Sequence, residues 1–331
     1  MPRSHEETTV RSRGMVALGT LLIVALTVLA FAGGRLFGSP PPPDDASSQI
    51  AIADASAPVA PPLAAGSAVE PDDDPAPVAL AERPPVVCLD PGHGGPDRGF
   101  TRGPLGNLAG MEEANVVLQL AWDVQARLQA RGFDVIVTRE TDAAVNATGA
   151  DINGDRKTAR DDKPGNDRFA TLDELQARIN ICNTAKADLL VSMHINGYTT
   201  QKPRGFETWY TDGRPFSDLS RSFANLAYVH LKDQFSRIGY VLPAEEERGV
   251  NPDTVADVQM DHAVFKHFVI TGPEVPGSVK PSEMPGAIVE TLFISNDGDA
   301  QTLVSAEGIN AIVTAYENSI VEYFQRHPPQ R

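Results

Sequence analysis

From residue 86 onward, short apolar runs alternate with longer segments whose apolar residues return every three or four positions. The runs Val86–Leu89, Phe133–Thr138, Leu189–His194, Gly205–Tyr210 and Ala287–Ile294 have the length of strands, whereas Glu112–Arg131, Leu172–Ala185, Leu219–Arg237 and Ser305–Arg326 carry helical periodicity. That alternation predicts a single α/β domain, residues 86–327, with a mostly parallel central sheet flanked by helices and a tail over 328–331. No internal repeat interrupts it.

Upstream, GMVALGTLLIVALTVLAFAGG (14–34) carries no charge over 21 residues, enough to cross a hydrocarbon core. A transmembrane helix is expected there. Arg3, Arg11 and Arg13 put residues 1–13 in the cytoplasm and the domain beyond the cytoplasmic membrane. A cleaved signal peptide is the rival, since Ala30-Phe31-Ala32 resembles a cleavage site, but the apolar run exceeds the usual ~7–15 residues. Residues 35–85 are rich in Pro, Ala, Ser and Asp and read as a disordered linker, with a coil span of roughly 40 Å. The 28 basic and 44 acidic residues leave a net charge of -16, which argues against binding nucleic acid. Two cysteines exclude a disulfide-stapled scaffold and paired-Cys zinc modules. Cys88 in a strand and Cys182 in a helix suit buried small hydrophobes, and one disulfide between them stays open.

Four places carry residues with chemistry. In Leu89-Asp90-Pro91-Gly92-His93-Gly94-Gly95, glycines on both sides of His93 let the chain turn and leave the imidazole at a strand's carboxyl end, where open α/β sheets place their sites. His194 ends a second strand in the same way, so the two imidazoles could share a metal, or each could be an ordinary surface histidine. On the helix that follows, Glu113 lies about 20° from the centre of the stripe Val116, Val117, Leu120, Val124 and Leu128, and Glu112 about 110° away. An inward glutamate must be paired or bound to metal, whereas Glu112 merely favours the helix dipole. Glu290 interrupts an apolar strand, for which either a salt bridge or catalysis would be a reason. His230, His262 and His267 have no motif around them.

LDPGHGG at 89–95, EANVVL at 113–118, ADLLVSMHING at 187–197 and IVETLFISN at 288–296 together resemble, in order, the four signature blocks of the zinc-dependent N-acetylmuramoyl-L-alanine amidases. Thr138-Arg139, Arg204-Gly205 and the Leu172–Asn183 helix fit as well. The resemblance implies one catalytic Zn2+ held by His93, Glu113 and His194, a water in the fourth position, and Glu290 as proton acceptor and then donor. It implies hydrolysis of the amide between N-acetylmuramic acid and the L-alanine of the peptidoglycan stem peptide. A catalytically silent module that binds peptidoglycan or an envelope partner is the alternative.

Two stretches depart from the pattern. Residues 239–286, with Pro243 and Glu245–Glu247, match poorly, and residues 143–170 form a polar insertion. Within the insertion, Asp151, Asn153, Asp155 and Asp162 echo positions 1, 3, 5 and 12 of a calcium loop, although Arg156 replaces the usual Gly. A Ca2+ site over 151–162 therefore competes with a solvated polar loop. With no recognisable wall-binding module, substrate would be found by proximity or through an unknown protein activator.

Overall fold

The computed structural model describes residues 83–104, 106, 109–255 and 266–329. Its elements are β1 (Val86–Pro91), β2 (Thr101–Arg102), β3 (Met111–Glu112), α1 (Glu113–Ala130), β4 (Asp134–Val137), α2 (Arg168–Thr184), β5 (Leu189–Asn196), β6 (Glu207–Tyr210), α3 (Ser217–Arg237), β7 (Val250–Pro252), β8 (Gly286–Phe293), α4 (Asp297–Val304) and α5 (Ala306–Arg326). Six strands form one sheet in the order β4-β1-β5-β8-β6-β7, and β2 pairs with β3 apart from it. The strands β4, β1, β5 and β8 are parallel, β6 runs against β8, and β7 runs with β6. The connection from β5 to β6 holds no crossover helix, and β6 returns in the opposite direction.

Alternation along the strands divides the core in two. Val87, Leu89, Val191, Met193 and Val289 face a cluster completed by α1, α3 and α5. Cys88, Leu190, Trp209 and Ile288 face the other side, where Leu172, Ile179 and Cys182 of α2 and Phe268–Ile270 cover them. Cys88 and Cys182 are both buried, as expected, and they are bonded as a disulfide, the pairing that the sequence left open, with Cα atoms 5.6 Å apart. A strand and the helix packed on it bring two inward side chains within bonding reach. The bridge closes a separation of 94 residues, for which the chain-entropy account gives roughly 4–5 kcal/mol.

The insertion is not a freely solvated loop. Glu174 of α2 accepts from the amides of Val145 and Asn146 at 2.9 and 2.7 Å. Both oxygens of Asp162, the expected last member of the calcium set, accept from the amides of Phe169 and Ala170 and cap the start of α2. The expected membrane helix over 14–34 and the linker up to residue 82 lie outside the described residues. Among the described residues, no helix is long and apolar enough to cross a membrane.

Candidate metal centre and active site

At the carboxyl end of β1 the chain turns at once, and His93 adopts a left-handed φ of 60°. Two buried arginines hold this turn. Arg178 of α2, 2% exposed, donates to the carbonyls of Pro91 at 2.8 Å and His93 at 2.5 Å, and also to Asp90 at 2.8 Å. Arg139 donates to the carbonyls of Pro91, Gly92 and Ala114. Asp90 also accepts from Thr138 at 2.6 Å and Ser192 at 3.0 Å, which satisfies both of its buried oxygens.

His93, Glu113 and His194 meet above this foundation. Nε2 of His93 lies 3.1 Å and Nδ1 of His194 3.0 Å from Oε1 of Glu113. The sequence register is thus borne out for Glu113, which is 3% exposed, while Glu112 turns outward to Arg98 and Asn115. Glu113 accepts from the amides of Ile195 and Phe100 at 3.1 and 2.9 Å. The other ring nitrogen of His93 is 2.8 Å from Asp97, whose second oxygen accepts from the Gly99 amide at 3.0 Å. A Cβ at Gly92 would stand 2.3 Å from the His194 ring, and one at Gly99 2.5 Å from Oε2 of Glu113. The backbone therefore makes room for these three side chains and nothing larger.

With the Nδ1 proton of His93 directed to Asp97, its Nε2 lone pair points at a carboxylate oxygen. Lone pairs that converge in this way require a proton or a cation between them. Burial opposes a charged His93 ring, yet Glu113 and Asp97 raise its pKa to about 10. Burial would raise the Glu113 carboxyl, but the two imidazoles hold it below the ordinary range. One donor atom from each of the three residues lies within 4.8 Å of the others. Two imidazoles and one carboxylate are a donor set that suits zinc.

Glu290 of β8 is opposite His194 on one side and Glu207 of β6 on the other. The three side chains thus share one face of the sheet in a row across three strands. Burial, followed by the charges of Glu113 and Glu207, pushes the Glu290 carboxyl well above its usual pKa. Glu207 itself accepts from Asn196 at 2.7 Å and pairs with Arg248 at 3.3 Å. Sequence reasoning missed Asp97, Glu207 and Arg248. Asp97 carried a signal, four residues after His93 in a glycine-rich turn, but Arg248 lies in the stretch without periodicity. Of the other histidines, His230 pairs with Glu322 and His267 with Asp253, whereas His262 lies outside the described residues.

Comparison with known proteins bears on the same part of the chain. The germination-specific N-acetylmuramoyl-L-alanine amidase of Bacillus subtilis is 25% identical over 247 residues, covering 74% of this chain and 83% of the relative. The amidase AmiA of Salmonella typhimurium is 26% identical over 261 residues, covering 72% and 76%. The solved structure of the amidase AmiC2 of Nostoc punctiforme aligns with 75% of this chain and 100% of its own at 23% identity, with a TM-score of 0.49. The family profile described as N-acetylmuramoyl-L-alanine amidase matches residues 87–322, from β1 to the last turns of α5, and the chain belongs to that family.

Proposed function

We propose that this chain hydrolyses the amide bond between the lactyl group of N-acetylmuramic acid and the L-alanine of the peptidoglycan stem peptide, with one Zn2+ held by His93, Glu113 and His194 and with Glu290 moving the proton. The observation that carries this reading is the convergence of two imidazole nitrogens on one buried carboxylate oxygen beside a second carboxylate. Zinc bound there would polarise the amide carbonyl and acidify a water. Asp97 fixes the tautomer of His93 and keeps Nε2 turned inward, while Arg139 and Arg178 hold the turn that carries it. Glu290 takes the proton of the attacking water and delivers it to the departing L-alanine nitrogen. A carboxyl of raised proton affinity suits the second half of that task.

The same reading extends to the rest of the chain. Residues 14–34 anchor it in the cytoplasmic membrane, 35–85 are a linker, and 86–327 act in the cell envelope outside the cytoplasm. Support comes from the uncharged run and the arginines that precede it. Mass spectrometry of digested peptidoglycan, with metal content measured on the same protein, tests the chemistry. Stem peptides beginning in a free L-alanine amine, with near-equimolar zinc, are expected. New reducing sugar ends with intact muramoyl-peptides would overturn it.

A further inference from the structure

The insertion between β4 and α2 coils around its own side chains. Asp151 accepts from the amides of Gly154 and Arg156 at 2.8 and 2.9 Å, Asn153 from Asp155 at 2.9 Å, and Asp155 from Lys157 at 2.8 Å. Gly154 and Arg156 take left-handed φ values of 81° and 67°. These contacts would equally suit a loop that binds nothing. What distinguishes this one is Asp173, which lies beneath it in the first turns of α2.

Asp173 is 1% exposed, and its Oδ1 accepts from the amides of Ile152 and Asn153 at 2.8 and 3.2 Å. Its Oδ2 is buried without a hydrogen-bond partner, as is Nδ2 of Asn153. The amides of Ile152 and Asn153 seat Asp173 under the stretch that carries Asp151 and Asp155, whose charges add to burial in raising its proton affinity. A buried carboxylate oxygen with no donor, set against two further carboxylates, calls for a counter-charge. The donors at hand are all oxygen, which selects a hard cation, and loop positions 1, 3 and 5 joined by an acidic residue from a helix are a set that suits calcium.

We infer that Asp151, Asn153, Asp155 and Asp173 bind one Ca2+ that fastens the insertion to α2, with Asp173 in the place that the sequence offered to Asp162. Among the described residues, only His93, Glu113 and His194 have three such donor groups within 4.8 Å of one another, so calcium must draw this loop inward. Neighbouring positions on α2 connect it to the active site: Glu174 holds the start of the insertion, and Arg178 holds the His93 carbonyl. The inference is independent of the zinc chemistry.

The test uses the full-length chain, freed of calcium on a chelating resin, with its zinc content restored and measured. Calorimetric titration with CaCl2 should show one site with Kd of about 10⁻⁴–10⁻³ M, and 10 mM CaCl2 should raise the melting temperature by roughly 3–10 °C. Asp173→Asn should weaken binding at least tenfold, whereas Asp162→Asn and His93→Ala should leave the Kd unchanged. If Asp173→Asn fails to fold, Asp155→Asn on the loop carries the same expectation. Absence of calcium heat and melting shift in the unmodified chain would overturn the inference and leave a bridging water as partner of the two orphaned atoms. Equal stabilisation by MgCl2, unchanged affinity in both carboxylate variants, or loss of calcium binding in His93→Ala would overturn it as well.

Discussion

Glu113 and Glu290 carry the same side chain at the same site, the first between the two imidazoles and the second opposite His194 in the sheet, and their surroundings drive them apart. Glu113 takes two backbone amides and two histidines, which overcome its burial and keep it ionised. Glu290 has carboxylates for neighbours, and with burial they favour its protonated form. A metal ligand and a proton carrier need these opposite environments. Glu290→Gln should therefore retain near-equimolar zinc and a normal melting curve while losing about 10²–10⁴-fold in turnover on peptidoglycan. Loss of zinc from that variant would make Glu290 a ligand or a ligand's support. Asp97 acts one step further out, through His93 Nδ1. Asp97→Asn keeps a group that can accept that proton but not the charge, and zinc affinity should fall about 10–100-fold, read by competition with a chelator; an unchanged affinity would reduce Asp97 to a turn residue.

At the scale of elements, β1 and α2 form the support on which the site stands, joined by the buried Asp90–Arg178 pair and by the disulfide. Burial alone would raise the Asp90 carboxyl, but Arg178 and Thr138 leave it below the usual value. A carboxylate of depressed folded pKa contributes stability above its unfolded pKa of about 3.9 and loses that contribution as pH falls through the folded value. Asp90→Asn should thus cost up to about 3–5 kcal/mol at neutral pH, less where Glu174 still compensates Arg178, and the gap to the unmodified protein should narrow below about pH 4 in denaturant titrations. A gap that stays constant with pH would mean that the pair contributes by shape alone. Reduction of the disulfide, or Cys88→Ala with Cys182→Ala, should lower stability by about 2–5 kcal/mol, the chain-entropy value being the upper end, with zinc retained. The strand that leads to His93 and those that carry His194 and Glu290 were legible because burial on both faces makes them continuous apolar runs. The short β2, β3 and β7 left no such trace, and neither did Arg248. The disulfide was illegible for another reason, since it depends on how a strand and a helix sit against each other and not on any local pattern.

At the scale of the whole molecule, two observations that share no residues support the proposed placement of the domain outside the cytoplasm. One is the uncharged run over 14–34 preceded by Arg3, Arg11 and Arg13. The other is the Cys88–Cys182 bond, because disulfides persist where thiols are not kept reduced, outside the cytoplasm. Peptidoglycan lies on that side of the membrane, so substrate, redox state and charge bias agree. Protease added to intact spheroplasts should therefore cut within residues 35–85 and release a fragment that carries the disulfide and the zinc-binding residues. The fragment should run faster on a non-reducing gel than after reduction, and a thiol reagent should label it only once reduced and unfolded. Protection of the whole chain until the cells are lysed would overturn the topology. Release of a soluble domain before any protease is added, with a mature N-terminus at Gly33, would instead replace the anchor by a cleaved signal segment and leave the domain's side of the membrane unchanged.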